Sequence, residues 1–206
     1  MINLVSAAIM AAAAYLIGSV NFSIILSKLI AGKDIRESGS GNAGATNMLR
    51  TYGKKMGALT LLLDVLKGVV TVWLVKELSD SITFAYFAGL LVILGHNFPV
   101  YFGFKGGKGV ATSLGVVFVL DWKVGLIVAV IAILIMALTR YVSLGSICGG
   151  ALFIIIEFVK ALITGDISAV RLICTVLIGG LLIVRHHANI KRLLNGTENK
   201  LGAAKG

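Results

Sequence analysis

The chain has 206 residues, of which 58% are hydrophobic and only 14% charged, with a single proline and a net charge of +10. A mean hydropathy of +0.98 excludes a soluble globular domain of this size and points to an all-α integral membrane protein. The basic excess lies in short segments between apolar runs, which argues against a nucleic-acid partner and for anionic headgroups or anionic substrates.

In chain order, seven apolar stretches predict transmembrane helices over 4–30, 56–75, 82–102, 110–120, 124–138, 143–159 and 167–184. A full crossing takes about 20 residues, so the fourth and fifth are short, and five spans plus two partial ones is the alternative. No basic residue precedes the first stretch, whereas Lys28, Lys33 and Arg36 follow it. That is the charge order of an uncleaved span with its N-terminus outside. With seven spans, 14 of the 19 Lys and Arg residues, Lys205 among them, share one face with the C-terminus, against Lys76, Lys123, Lys160 and Arg171 opposite and Lys67 inside a span. The positive-inside rule makes the basic face cytoplasmic. The chain therefore reads as one polytopic membrane domain over 1–206, with 186–206 a cytoplasmic tail that contributes to the site. Cys148 and Cys174 lie in apolar runs without metal-ligand spacing and read as small buried hydrophobes.

The first polar cassette follows span one: Ser38-Gly39-Ser40-Gly41-Asn42-Ala43-Gly44-Ala45-Thr46-Asn47, ending in Arg50. Hydroxyls, amides and glycines at this density suit an oxyanion, and Arg50 adds a bidentate fork for phosphate oxygens. Asp64 and Lys67 lie three residues apart in span two, on one helix face. Charges at that depth are tolerated when paired or turned toward a polar interior, so they form a structural ion pair or orient a neighbouring functional group. The second cassette, from Gly95-His96-Asn97 to Lys105-Gly106-Gly107-Lys108-Gly109, follows span three. Two ammonium groups beside unobstructed backbone N–H donors make a phosphate seat. His96 at its head caps backbone, binds phosphate or accepts a proton. Two oxyanion seats imply two phosphorylated ligands or one ligand held twice.

Arg140-Tyr141-Val142-Ser143 joins spans five and six, as a helix cap or a further wall of the polar site. If span seven continues as a helix into the tail, His186, Asn189 and Arg192 project from nearly the same side. A basic segment lying on anionic lipid accounts for Lys191 and Arg192 but not for His186 and Asn189. A transporter or flippase for a phosphorylated metabolite is the competing class, but it calls for polar residues on both faces and through the midplane. Here the polar cassettes concentrate on one face.

Taken together, these segments resemble the acyl-phosphate-dependent glycerol-3-phosphate acyltransferase family of bacterial inner membranes. The matching text is Gly39–Asn47 with Arg50, Asp64-x-x-Lys67-Gly68, Gly95-His96 with Phe104–Thr112, Arg140–Leu144, and His186-x-x-Asn189-Ile-x-Arg192 with Gly196-x-Glu198. One departure is His187, where family members often carry arginine. The resemblance implies transfer of a fatty acyl group from acyl phosphate to the 1-hydroxyl of glycerol 3-phosphate, without cofactor or metal, in the multi-pass setting of the inner membrane with the site toward the cytoplasm. It makes His96, Lys105 and Arg50 the catalytic candidates. Ser40, Gly41, Asn42, Thr46, Asn47, Lys108, Ser143, His186 and Asn189 become substrate-binding, with Asp64, Lys67, Arg140, Arg192 and Glu198 in support. The proton acceptor is either His96 or a phosphate oxygen of the substrate. No acid stands four residues beyond the next position after His96, where Tyr101 sits, so the His-x4-Asp arrangement of many acyltransferases is absent.

Overall fold

The structure, a computed structural model, describes residues 3–202. Lys205, counted above on the basic face, lies outside the described residues. The described residues are helical, without strands, and part into two compact units at Leu120/Asp121.

The first unit holds α1 (Leu4–Ser19), α2 (Phe22–Ala31), α3 (Ala45–Tyr52), α4 (Lys54–Ser79), α5 (Ile82–Asn97) and α6 (Val110–Leu120). The first apolar stretch, expected as one helix, is broken at Val20–Asn21, where the Asn21 side chain caps α2 by accepting from Ile24 N at 3.3 Å. The break turns the carbonyls of Gly18 and Val20 toward a buried lysine, a partner that uniform hydropathy does not reveal. Without a hydrophobic drive between helices in lipid, close backbone approach supplies the packing. A Cβ on Gly18 would lie 2.2 Å from Val92 O and one on Gly95 2.2 Å from Tyr15 O, so α1 and α5 meet at reciprocal glycines. Gly68 and Gly115 do the same for α4 and α6, at 2.5 Å from Thr112 O and 2.2 Å from Val65 O.

The second unit holds α7 (Trp122–Thr139), α8 (Val142–Thr164), α9 (Ala169–Val184) and α10 (His187–Leu194). Asp121 starts α7 by accepting from Lys123 N and Val124 N. Gly150 and Gly179 bring α8 and α9 together, with a Cβ on Gly179 only 2.7 Å from Gly150 O. The seventh stretch does not run straight into the tail: α9 and α10 are bent by 54° at Arg185–His186.

Burial is inverted relative to a water-soluble bundle. Leu62, Trp73, Ile133, Leu134, Ile155 and Ile163 are exposed, while Asn21, Thr60, Asp64, Lys67, His96, Asn97 and Thr112 are buried. Such a surface is stable only against hydrocarbon. Five helical segments are long and apolar enough to cross a bilayer: Leu4–Ala31, Lys54–Ser79, Ile82–Phe102, Trp122–Thr139 and Val142–Thr164, and the bent α9–α10 pair adds a sixth. The 11-residue α6 rises only about 16 Å, roughly half the hydrocarbon thickness.

Candidate active site

In the first unit both glycine cassettes are shaped by buried polar side chains. Asn47, at the start of α3, gathers the first one: its Oδ1 accepts from Ser40 N at 2.9 Å, and its Nδ2 donates to Ser38 O at 2.9 Å, Asn42 O at 3.1 Å and Ile35 O at 3.2 Å. Both ends of the amide are turned inward, its two N–H groups shared among three carbonyls, so Asn47 organises the turn instead of presenting its amide to a ligand. Gly39 and Gly41 take left-handed backbone, with φ of +61° and +70°, and a Cβ on Gly39 would strike Asn47 Oδ1 at 2.2 Å. Underneath lies an apolar plug of Ile24, Ile35, Ala43 and Met48. Ser40 and Gly41 are left exposed at the crest, with Asn42 half-buried. Thr46 and Arg50, four residues apart, share a half-buried face of α3.

The lysine cassette is fastened by a residue that the sequence reading counted only for topology. Arg36 Nη1 donates to Phe102 O and to Lys105 O, each at 2.8 Å. Asp34 aims the guanidinium by accepting from Nε at 3.0 Å and from Nη2 at 2.8 Å. Those hydrogen bonds hold the Asp34 carboxyl below the usual carboxylate range, against the opposing effect of burial. The Asp34-x-Arg36 spacing beside a glycine cassette was the available signal. The adjoining cleft of about 420 Å³ is lined by Asp34, Arg36, Glu37, Phe102, Gly103 and Lys105, and its two carboxylates make it a poor seat for phosphate. Lys105 is exposed and Lys108 half-buried.

At the root of the cassette, Gly106 N donates to Asn97 O at 3.1 Å and Gly107 N to His96 O at 3.2 Å, so the chain folds back on the end of α5. A Cβ on Gly107 would lie 2.2 Å from His96 Nε2 and 2.4 Å from Ala43 O. The two cassettes therefore converge at the imidazole of His96. Asn21 Nδ2 reaches the same carbonyl, Ala43 O, at 3.4 Å. Below the ring, Lys67 Nζ lies 2.9 Å from His96 Nδ1 and 2.9 Å from Asp64 Oδ1, and Asp64 Oδ1 is 3.5 Å from Nδ1. The Asp64–Lys67 ion pair is present and lies against His96.

In the second unit Glu198 is the hub. Its Oε1 accepts from Ser143 Oγ at 2.9 Å and from Asn189 Nδ2 at 2.7 Å, and its Oε2 from Arg192 Nε at 2.6 Å. Burial works against its charge, yet the hydrogen bonds from Asn189, Arg192 and Ser143 outweigh it and hold the carboxyl below the usual glutamate range. Arg140, in left-handed conformation with φ of +63°, donates through Nε and Nη2 to Leu201 O, and its own carbonyl accepts from Leu201 N. It clasps the tail. His186 sits at the α9–α10 bend, so it does not continue one helix face with Asn189 and Arg192, whose spacing within α10 is kept. Its ring is buried, with Nδ1 2.8 Å from Leu182 O. A carbonyl only accepts, so Nδ1 carries the hydrogen and the neutral ring has its lone pair on Nε2.

Residues 8–196 match the family model described as glycerol-3-phosphate acyltransferase. The chain belongs to the glycerol-3-phosphate acyltransferase family. Within it, the chain is 48% identical to a glycerol-3-phosphate acyltransferase of Clostridioides difficile strain 630, with 96% of each chain covered. It is 47% identical to one of Halalkalibacterium halodurans, with 93% of each covered. Among solved structures, the crystal structure of PlsY (YgiH), an integral membrane glycerol 3-phosphate acyltransferase in its glycerol 3-phosphate form, superposes with a TM-score of 0.88 at 43% identity over 96% of both chains. The transport reading falls with this membership: the chain is an acyltransferase of phospholipid biosynthesis.

Proposed function

We propose that this chain transfers a fatty acyl group from acyl phosphate to the 1-hydroxyl of glycerol 3-phosphate at the cytoplasmic face of a bacterial inner membrane, giving 1-acylglycerol 3-phosphate and inorganic phosphate. The observation that carries the reading is the convergence of two oxyanion-suited cassettes, 38–47 and 105–109, on His96. The similar PlsY is solved in a glycerol 3-phosphate form and a lysophosphatidic acid form, which supports the acceptor and the product.

An acyl phosphate is a mixed anhydride with a good leaving group, so positioning and charge stabilisation suffice. The glycerol 1-oxygen attacks the acyl carbonyl, the new C–O bond forms, and the old C–O bond to phosphate breaks with its electrons leaving on phosphate. The hydroxyl proton passes to a substrate phosphate oxygen, whose second ionisation lies near neutral pH. Arg50, Lys105, Lys108 and the Ser40–Gly41–Asn42 crest bind phosphate, with Thr46 beside Arg50. Ser143, His186 and Asn189 hold glycerol 3-phosphate, braced by Arg192, Glu198 and Arg140. Asn47 belongs with the bracing residues.

Phosphate release from purified protein in detergent, given acyl phosphate and glycerol 3-phosphate, tests the reaction. Turnover unaffected by chelators is expected, and equal or better rates with acyl-CoA or acyl carrier protein overturn the donor. For orientation, the 14-to-4 distribution of basic residues supports seven crossings with the cassettes inside. Cysteines at Gly103 and Gly196, with Cys148 and Cys174 replaced by alanine, should resist an impermeant reagent in intact cells while one at Ser79 labels. Labelling at Gly103 from outside breaks the one-face arrangement.

A further inference from the structure

Lys67 has no part in the acyl transfer as written, yet it is the most tightly held side chain beneath the site. It is buried, and its ammonium has three hydrogens for three directed acceptors: Gly18 O at 3.2 Å, Val20 O at 2.8 Å and His96 Nδ1 at 2.9 Å. Asp64 Oδ1, 2.9 Å away, is the counter-charge. These contacts come from the broken end of α1, from α4 itself and from the end of α5. Asp64 and Lys67 are the charged groups they bring to the Nδ1 side of the ring.

We propose that Lys67 is a positioning residue that holds His96 with Nδ1 accepting and Nε2 protonated, so that the imidazole is a fixed hydrogen-bond donor where the two glycine cassettes meet and not the proton acceptor of the reaction. An imidazolium would set an N–H against the ammonium at 2.9 Å, which electrostatics forbids. Two carbonyls and a carboxylate surround Nζ and favour the proton there over the ring. Asp64 reinforces that preference, being nearer to Nζ, at 2.9 Å, than to Nδ1, at 3.5 Å. With Nδ1 occupied, the hydrogen is on Nε2, the atom that faces Gly107 and the Ala43 carbonyl. That hydrogen points into the junction of the two cassettes. No acid follows His96 in the sequence to fix the tautomer, Tyr101 standing at the fifth position. The fixing group comes from another helix, in the polarity that removes His96 as a base.

The purpose of the donor rests on the acyl-transfer reading, whereas the proton's location does not, so the test has two arms. In full-length protein labelled with ¹⁵N-histidine, the His96 resonances are assigned through His96→Gln or, should that variant not fold, by elimination with His186→Asn and His187→Asn. At neutral pH the wild type should show an unprotonated Nδ1 and a protonated Nε2; a protonated Nδ1 overturns the proposal without any substrate present. In the kinetic arm, glutamine places an N–H at the Nε2 position and asparagine only at Nδ1. Folded His96→Gln should keep kcat within about tenfold of wild type with an unchanged pH profile, while His96→Asn loses about 10²-fold. Equal inactivity of the two folded variants, or loss of the acidic limb in His96→Gln alone, makes the histidine a base and sinks the proposal. Failure of the acyl-phosphate reading is separable, because it appears as absent turnover in the wild type.

Discussion

Each unit builds its polar centre around a buried histidine and a carboxylate, but the two centres differ in depth and polarity. At His96, Nδ1 meets an ammonium and accepts; at His186, Nδ1 meets the Leu182 carbonyl and donates. The first centre is assembled inside the spans, with Lys67 reaching carbonyls 47 and 49 residues away in sequence. The second is assembled near the chain end, with Glu198 reaching Asn189 nine residues away and Ser143 55 away. A histidine's role is set by what holds the nitrogen away from the substrate, and the same residue type serves opposite purposes in one chain. Depth sets the energetic stakes. A charge left unpaired among the spans has no water to fall back on, whereas one at the tail does.

The sharpest way to break the comparison is to remove one member of the Asp64–Lys67 pair. Lys67→Met or Asp64→Asn strands a buried charge and should cost about 3–5 kcal/mol, with a large fall in Tm in detergent or loss of folded protein. The double variant should recover part of that loss, because replacing both charges is tolerated better than removing one. Single variants that lose no more than about 1–3 kcal/mol, the scale of charged hydrogen bonds, would place this pair on a par with the tail network.

Gly107→Ala asks whether the junction is as tight as it looks. The added Cβ must displace the His96 ring or the Ala43 carbonyl, and a shift on the order of 1 Å should lower kcat/KM by about 10²-fold with the fold intact. Gly103→Ala is the reference: its φ of +65° brings strain of about 1 kcal/mol, but nothing lies within 4 Å of the new methyl. Equal kinetics in the two variants would remove the junction's special status. Arg50→Ala and Lys105→Ala should each lower kcat/KM by about 10²-fold through lost charged hydrogen bonds, with little change in Tm. Lys105→Ala keeps the backbone bond from Arg36, so only the ammonium is tested. Near-normal kinetics would return either residue to a topological role.

What was legible in the sequence follows the same division. The cassettes, the Asp64–Lys67 pairing and the apolar stretches could be read because type and short spacing suffice for them. The break at Val20–Asn21 was hidden, since the run around it is apolar throughout and its cause is a lysine 47 residues away, although a lone Asn21 there was a usable sign. The Arg36 clamp was missed because it closes on backbone carbonyls and only Asp34, two residues before it, signals it, and the bend at His186 interrupts a run that reads as continuous. Asn47 read as a ligand because amides in glycine loops suit oxyanions equally well whether they face out or, as here, face in.

The smallest expected effect belongs to Glu198, and its sign depends on pH. Its carboxyl is held below the usual glutamate range, so its hydrogen bonds contribute fully above that range and are lost as the pH falls through the depressed value. Glu198→Gln keeps the shape of the hub but not the charge, and should destabilise the protein near neutral pH by about 1–3 kcal/mol, the scale of charged hydrogen bonds. Asp34 is depressed in the same direction, but it is common to both proteins and cancels in the difference. The gap in Tm between wild type and Glu198→Gln should therefore be constant around neutrality and close as the pH drops below about 4.3, the reference value for glutamate. A gap that persists in acid would mean that shape and not charge holds Ser143, Asn189 and Arg192 together. A wild type that loses its advantage as the pH rises from about 4.3 toward neutrality would mean that the carboxyl is protonated in the folded protein, which reverses the sign and leaves Arg192 without its counter-charge.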